Sequence, residues 1–301
     1  MRTFPPAFLI LSIQYYIMVL ESVVVPESWE EHPRRMLIIG FLYATVGMFL
    51  ALWVFGKDAS IAGIFLTTIP LVVIMYRAIN YEEGKDMRIC KEYLLMKEHM
   101  HILWFFLYMF IGMVLAYTFW FTVLPGDVIE NLFSSQIEAV TAVSSKVATT
   151  GAAVSPTKVF ELILVNNLQV LAFCIIFSFI YGAGAIFILV WNASVIGVAI
   201  GSMMKQGLQR LGELGHNATL MHYFTVLPVG LTYLVHGLPE MASYFLGSLA
   251  GGIISVAVVC HHYREPQFWH ILMDSLDLLL LSLTVLLMSA AVEVWVTPAL
   301  F

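Results

Sequence analysis

An all-α, polytopic helical membrane fold of about seven transmembrane helices (six to eight) follows from three features of the chain. Charged residues make up 11% of its 301 residues and hydrophobic ones 60%, whereas a soluble domain carries about 25% charged residues. Several runs of 18 or more residues hold no Asp, Glu, Lys or Arg, which is the length at which an apolar helix crosses roughly 30 Å of hydrocarbon. The C-terminal half holds uncharged stretches too long to be single straight spans, so broken or re-entrant helices are expected there. With so few charges an ordinary wet surface cannot be solvated, which excludes a soluble enzyme, a disordered chain and a nucleic-acid binder. The lipid bilayer is the first partner the composition implies.

Residues 1-35 form an N-terminal segment and linker. The apolar stretch Ala7 to Val25 is interrupted by Gln14 and Glu21 and closed by Pro26. It reads either as a membrane helix or as an interfacial one, and no cleavable signal peptide is evident.

Residues 36-125 read as a three-span unit. Met36 to Phe55 is uncharged over 20 residues and Ala59 to Tyr76 over 18, with Gly56-Lys57-Asp58 between them as a tight hairpin. Ile102 to Pro125 is the third run, rich in Phe, Trp and Tyr. The loop 77-101 carries Arg77, Lys85, Arg88, Lys91 and Lys97, the densest basic cluster in the chain. Basic residues in short loops stay on the cytoplasmic side, so this loop is expected in the cytoplasm and the protein in the cytoplasmic (cell) membrane. Arg34 and Arg35 fall on the same side.

Residues 126-157 are expected outside. Ile129, Leu132, Phe133, Ile137, Val140, Val143 and Val147 recur every three or four positions, the pattern of an amphipathic helix lying on the outer leaflet. Ala148 to Thr157, small and hydroxylated, reads as a loop.

Residues 158-301 form the last unit. Leu162 to Met204 runs for 43 residues without a formal charge; as one helix it would be about 64 Å long, so it must break. Gly182 and Gly184 around Ala183 supply the turn, giving helices near 160-181 and 184-203. Leu214 to Tyr263 has Glu240 as its only formal charge, and Gly237 with Pro239 is expected to interrupt it. The final span runs from Ile271 to Val296, with Asp274 and Asp277 read as lying at a helix start. Orientation after residue 182 is open. Full crossings place Lys205, Arg210 and Arg264 outside, whereas a re-entrant Gly184 to Met203 segment returns them to the cytoplasm and suits the charge rule better.

Polar groups inside lipid are the best pointers to function, because even the lenient insertion scale charges roughly 2.5–3.5 kcal/mol for a central ionised side chain. Asn166, Asn167 and Gln169 occupy the first half of the 43-residue run and Asn192 the second; the glycine turn would bring Asn167 and Asn192 to one interface. His236-Gly237-Leu238-Pro239-Glu240 reads as a helix start inside the membrane. Proline suits the first helical position, Glu240 then lies in the first turn where exposed N–H groups favour a carboxylate, and Gly237 relaxes the backbone before it. A structural cap and an ion or substrate site of the kind transporters build at half-helix ends both remain open. The candidate intramembrane site is therefore Asn166, Asn167, Asn192, His236, Gly237 and Glu240, with helix breaks at Gly182, Gly184 and Pro239.

The sequence presents no catalytic set: no Ser-His-Asp order, nucleophile elbow or phosphate loop appears. No metal site or cofactor is implied. Glu82, Glu83, Asp86, Glu98, His99 and His101 match no zinc spacing, His261-His262 reads as a loop pair, and Cys90, Cys174 and Cys260 are too far apart for a CxxC pattern. Asn217-Ala218-Thr219 fits a glycosylation sequon.

The later half resembles the stage II sporulation protein M family. The resemblance rests on Val165-Asn166-Asn167, Tyr181-Gly182-Ala183-Gly184, Leu189-Val190-Trp191-Asn192 with Gly197 and Gly201, and His236-Gly237-x-x-Glu240, over about 160 to 265. Ala193 stands where the family usually has Gly, and Val235 where proline often precedes the histidine. The front half is similar to the longer archaeal-type members. The resemblance implies a helical integral membrane protein with its core in 158-301. The family's namesake acts in forespore engulfment, holding peptidoglycan hydrolases at the membrane. For this chain the resemblance implies a scaffold that gathers membrane or cell-envelope proteins, with self-association left open. Two further readings stand beside the scaffold: a transporter or channel with a midplane polar site, and, weakest, a metal-assisted intramembrane enzyme.

Overall fold

The computed structural model describes residues 33–86, 92–150, 155–181, 185–213, 220–259 and 268–297, and the side chains among them except 80, 82–86, 92–99, 143–150, 181, 211–213 and 220–233. Every element in these residues is helical: α1 (Arg35–Phe55), a 3-10 turn (Gly56–Asp58), α2 (Ala59–Asp86), α3 (Glu92–Val123), α4 (Gly126–Thr150), α5 (Pro156–Tyr181), α6 (Ile186–Glu213), α7 (Leu220–Val259) and α8 (Phe268–Ala291), which continues as a π-helical turn (Val292–Val296). Six stretches are long and apolar enough to cross a membrane: Arg35–Ile79, Met100–Val123, Pro156–Ile180, Ile186–Arg210, Leu234–Val259 and Phe268–Val296. The chain is an all-α polytopic membrane protein. The segment Ala7 to Val25, the links holding Cys90, Asn217-Ala218-Thr219, Cys260 and His261-His262, and the side chains of Glu82, Glu83, Asp86, Glu98 and His99 lie outside the described residues.

Close glycine contacts set the direction of neighbouring helices. The stretch Arg35–Ile79 is folded on itself. Gly56 turns the chain at φ 55°, which residues with a Cβ rarely adopt, and Gly47 then abuts Thr67 while Gly63 faces Met48 and Ala51. α1 and α2 are thus antiparallel about Lys57. α3 returns parallel to α1 and crosses it where two glycines meet: Gly40 lies on the backbone of Met109 and Gly112 on that of Leu37, with no room for a Cβ on either. Backbones approach this closely in membranes because packing, rather than water exclusion, draws helices together. Further along the pair, Trp120 Nε1 donates to Thr45 Oγ1 at 3.0 Å.

α6 is parallel to α3. Gly197 rests on Tyr117 and Thr118, Gly201 on Phe121, and Lys205 Nζ donates to the carbonyl of Leu124 at 3.2 Å. α6 therefore ends on the face where α3 ends, and its Ile186–Arg210 stretch is long and apolar enough to cross fully. The re-entrant arrangement favoured by the charge rule is not adopted, because small residues along Gly197–Gly201 give α6 a continuous seam on a spanning helix. α5 is parallel to α7, with Gly247 on Leu171 and Ile175 and Gly251 on Ile175 and Ser178. α8 runs antiparallel to both, through Ser243 with Ser282 and Phe160 with Trp295 at 5.2 Å between ring centroids.

Three further expectations change. α7 is one helix of 40 residues running straight through Gly237-Leu238-Pro239, so Pro239 is not a break; a membrane helix tolerates proline where neighbours satisfy the affected backbone. α8 begins at Phe268 and has no acid in its first turn, which puts Asp274 and Asp277 well inside it. α4 does not lie free on the leaflet: Ile129, Leu132 and Phe133 are buried, the Phe133 ring meets Tyr117 and Phe121 edge-on, and Ser60 Oγ donates to Gln136 Oε1 at 2.8 Å. Its apolar stripe closes over the ends of α2, α3 and α6. The break expected at Gly182 and Gly184 falls on residues outside the described set, between Tyr181, the last of α5, and Ile186, the first of α6.

Candidate functional site

α7 carries the polar groups. His236, Glu240, Tyr244 and Ser248 follow at intervals of four, so they stack on one helix face. Tyr244 Oη donates to Glu240 Oε1 at 2.7 Å, and Ser248 Oγ donates to the Tyr244 carbonyl at 2.6 Å. Tyr244 and Ser248 are fully buried, while His236 and Glu240 are half-buried. Cys174, on α5, is the hydrogen-bond partner of Ser248 and carries the string onto a second helix.

α8 closes the other side. Ser289 Oγ donates to the His236 carbonyl at 2.7 Å, and Thr297 Oγ1 lies 3.4 Å from His236 Nδ1. Glu293 is within electrostatic reach of Glu240 and of Tyr244. This gathers two carboxyl groups, an imidazole and a phenol around the junction of α7 with the C-terminal end of α8. A carboxyl group held by a phenolic donor can keep or pass a proton. Among the described residues, however, no three His, Cys, Asp or Glu side chains converge as a metal site requires.

Of the residues expected at the site, His236 and Glu240 share this cluster. Gly237 is an ordinary buried helical position, where an added Cβ would meet only Ile196 Cδ1 at 3.6 Å. Asn167 is buried on α5 and accepts a hydrogen bond from Asn166 Nδ2 at 3.3 Å, whereas Asn166 itself points outward. Asn192 Nδ2 donates to the Ile188 carbonyl of its own helix at 2.8 Å. α5 and α6 follow each other in the chain but do not lie side by side: α5 lies on α7 and α8, α6 on α2, α3, α4 and α7. Asn167 and Asn192 thus do not share one interface. Sequence reading passed over Tyr244, Ser289 and Thr297. The spacing of four from Glu240 could have revealed Tyr244; nothing local marks the other two.

Beside the cluster, Leu238 and Pro239 help line a cleft of about 380 Å³ between α3, α7 and α8, walled by Leu103, Trp104, Leu107 and Leu281 among others and almost wholly apolar.

A family model described as stage II sporulation protein M matches residues 101–298. The chain belongs to the stage II sporulation protein M family. The match reaches from the start of the Met100–Val123 stretch to just past the π-helical turn, so it takes in the whole cluster on α7 and α8. It extends well beyond the 160 to 265 region on which the resemblance rested. No curated protein and no solved structure matches the chain.

Proposed function

We propose that this member of the stage II sporulation protein M family is a membrane scaffold, an assembly factor that holds partner proteins of the cell envelope at the cytoplasmic membrane. One observation carries the reading: hydroxyl groups of the C-terminal half tie α7 to α8. Ser243 and Ser282 bond across α7 and α8, Ser289 of α8 bonds the His236 backbone of α7, and within α7 Tyr244 holds Glu240. The cleft beside them is apolar rather than hydrated in character. A tied core with broad apolar outer faces on α1 and α8 suits a protein whose work is to present surfaces.

The orientation belongs to the same proposal. The helix ends on the face opposite α4 carry Arg34, Arg35, Arg77, Lys85 and Lys97, and the sequence between those ends adds Arg88, Lys91 and Arg264; the ends on the α4 face carry Lys57, Lys146, Lys158, Lys205 and Arg210. Eight basic residues against five makes the first face cytoplasmic, with the loop between α2 and α3 inside.

Cross-linking in native membranes followed by mass spectrometry tests the scaffold. Reproducible capture of envelope proteins, lowered by Glu240→Gln without any change in solute flux, is the expected outcome. A transporter is the second reading, favoured by the meeting of Glu240, Glu293 and half-buried His236. Proton or cation flux into vesicles containing the purified protein, abolished by Glu240→Gln or Glu293→Gln, would replace the scaffold with that reading.

A further inference from the structure

The outward face of α5 carries something its lipid environment does not call for. Leu162, Asn166, Gln169, Phe173, Ile176 and Ile180 are all exposed and follow at alternating steps of four and three, the repeat of a helix–helix seam. Any lipid-facing stripe has that spacing, so the informative part is its chemistry. The outward stripe of α1, formed by Ile38, Leu42, Val46, Leu50 and Trp53, is apolar throughout. The α5 stripe instead places two carboxamides at its middle. Asn166 lies ten residues beyond Pro156 and Gln169 twelve before Tyr181, so they sit about 15 Å and about 18 Å from the two helix ends, near the centre of the hydrocarbon.

We propose that two copies of this chain pair along α5, parallel in the membrane, joined at mid-depth by Asn166 and Gln169. Hydrocarbon offers a carboxamide neither donor nor acceptor. Asn166 gives one N–H to Asn167 Oδ1, which orients it and leaves its carbonyl oxygen and second N–H. Gln169 makes no hydrogen bond among the described residues. A second α5 about a two-fold axis along the membrane normal supplies the missing groups from the same two residues, because a carboxamide is both donor and acceptor and is complementary to itself. A polar side chain in an otherwise apolar seam also fixes register, since any axial slip leaves it facing a hydrocarbon side chain. This self-complementarity singles out a second copy over an unrelated helix, which would need a matching pair of polar groups at the same depth.

The full chain in lipid vesicles, fluorescently tagged and counted by single-molecule photobleaching across a range of protein densities, tests the pairing. The wild type dimerises, and Asn166→Leu with Gln169→Leu raises the dimer dissociation constant at least tenfold; Gln169→Leu alone, which leaves Asn167 its donor, weakens the dimer in the same direction while thermal unfolding stays as in the wild type. A photo-cross-linking residue at position 169 yields an adduct of twice the chain mass, and one at position 46 on α1 does not. A wild type that stays monomeric at every density, a double variant that dimerises like the wild type, or adducts at 169 in native membranes that hold only a different protein would each overturn the proposal.

Discussion

Ser289 and His236 are joined across the α7–α8 interface: the serine hydroxyl donates to the histidine's backbone carbonyl at 2.7 Å, three residues before Pro239. Proline removes one helical N–H and its ring crowds the preceding turn. The carbonyl left without a helical N–H is that of Val235, four residues before the proline, so the Ser289 bond, one residue further on, ties α7 to α8 in the same turn without replacing the lost one. Ser289→Ala should destabilise the protein by about 0.5–1.5 kcal/mol, the net contribution of one hydrogen bond, because the His236 carbonyl keeps the N–H of Glu240 within the helix. Ser289→Thr, which keeps the hydroxyl, should recover most of the loss. Reversible unfolding in mixed micelles measures both, and an alanine variant as stable as the wild type would show that the bond is unimportant.

Tyr244 and Glu240 form a second pair that can be separated by mutation. Tyr244→Phe removes the donor to Glu240 Oε1 and should cost about 1–3 kcal/mol. Glu240→Gln keeps a carbonyl oxygen for the phenol to bond and should cost less. In a double-mutant cycle the two changes should couple by about 0.5–3 kcal/mol, as contacting residues do. Additive effects would mean that the 2.7 Å contact carries no energy of its own.

The contrast between these pairs shows what the sequence reveals. Span positions follow from uncharged length alone, so α1, α2, α3 and α8 appear close to where charge counting puts them. The hairpin at Gly56 is likewise readable, because no other residue type takes φ 55° readily. His236 and Glu240 are readable as polar groups four apart in a greasy run. What is not readable is whether Pro239 ends a helix or passes through one, since that depends on the helices packed against α7. The same holds for α6, whose basic end argues for re-entry by charge counting. Its Gly197–Gly201 seam finds a spanning partner only once α3 is placed beside it. Asn192 is the residue most misjudged: an asparagine in a membrane helix can bond its own preceding turn, as it does to Ile188, and then says little about an interface.

Glycines in this chain divide by what a methyl group would strike, and substitution should follow that division. At Gly251 an added Cβ would lie 2.7 Å from the Ile175 carbonyl oxygen, and at Gly112 it would overlap the Leu37 backbone. Neither neighbour can yield without parting two helices, so Gly251→Ala and Gly112→Ala should each cost about 1–3 kcal/mol. Gly237→Ala meets only a flexible isoleucine tip at contact distance and should be neutral or stabilise by about 0.4–1 kcal/mol through restricting the unfolded chain. Thermal stability of the three variants in one detergent makes the comparison. A Gly237→Ala variant as damaged as the other two would restore the reading of that glycine as a hinge.

The full crossing of α6 has a consequence that chemical labelling can read. Lys205 bonds the Leu124 carbonyl at the end of α3, so the exposed Gln206 lies on the α4 face, whereas the exposed Arg34 precedes α1 on the opposite face. Cysteine introduced as Gln206→Cys should react with a membrane-impermeant maleimide in intact cells, above the background of the wild-type chain. Arg34→Cys should react only after permeabilisation. If Arg34→Cys reacts from outside and Gln206→Cys only from inside, the helix order stands and the charge-based orientation is reversed. If both react from the same side, α6 does not cross. The seam from Gly197 to Lys205 would then be a contact within one leaflet rather than the track of a spanning helix.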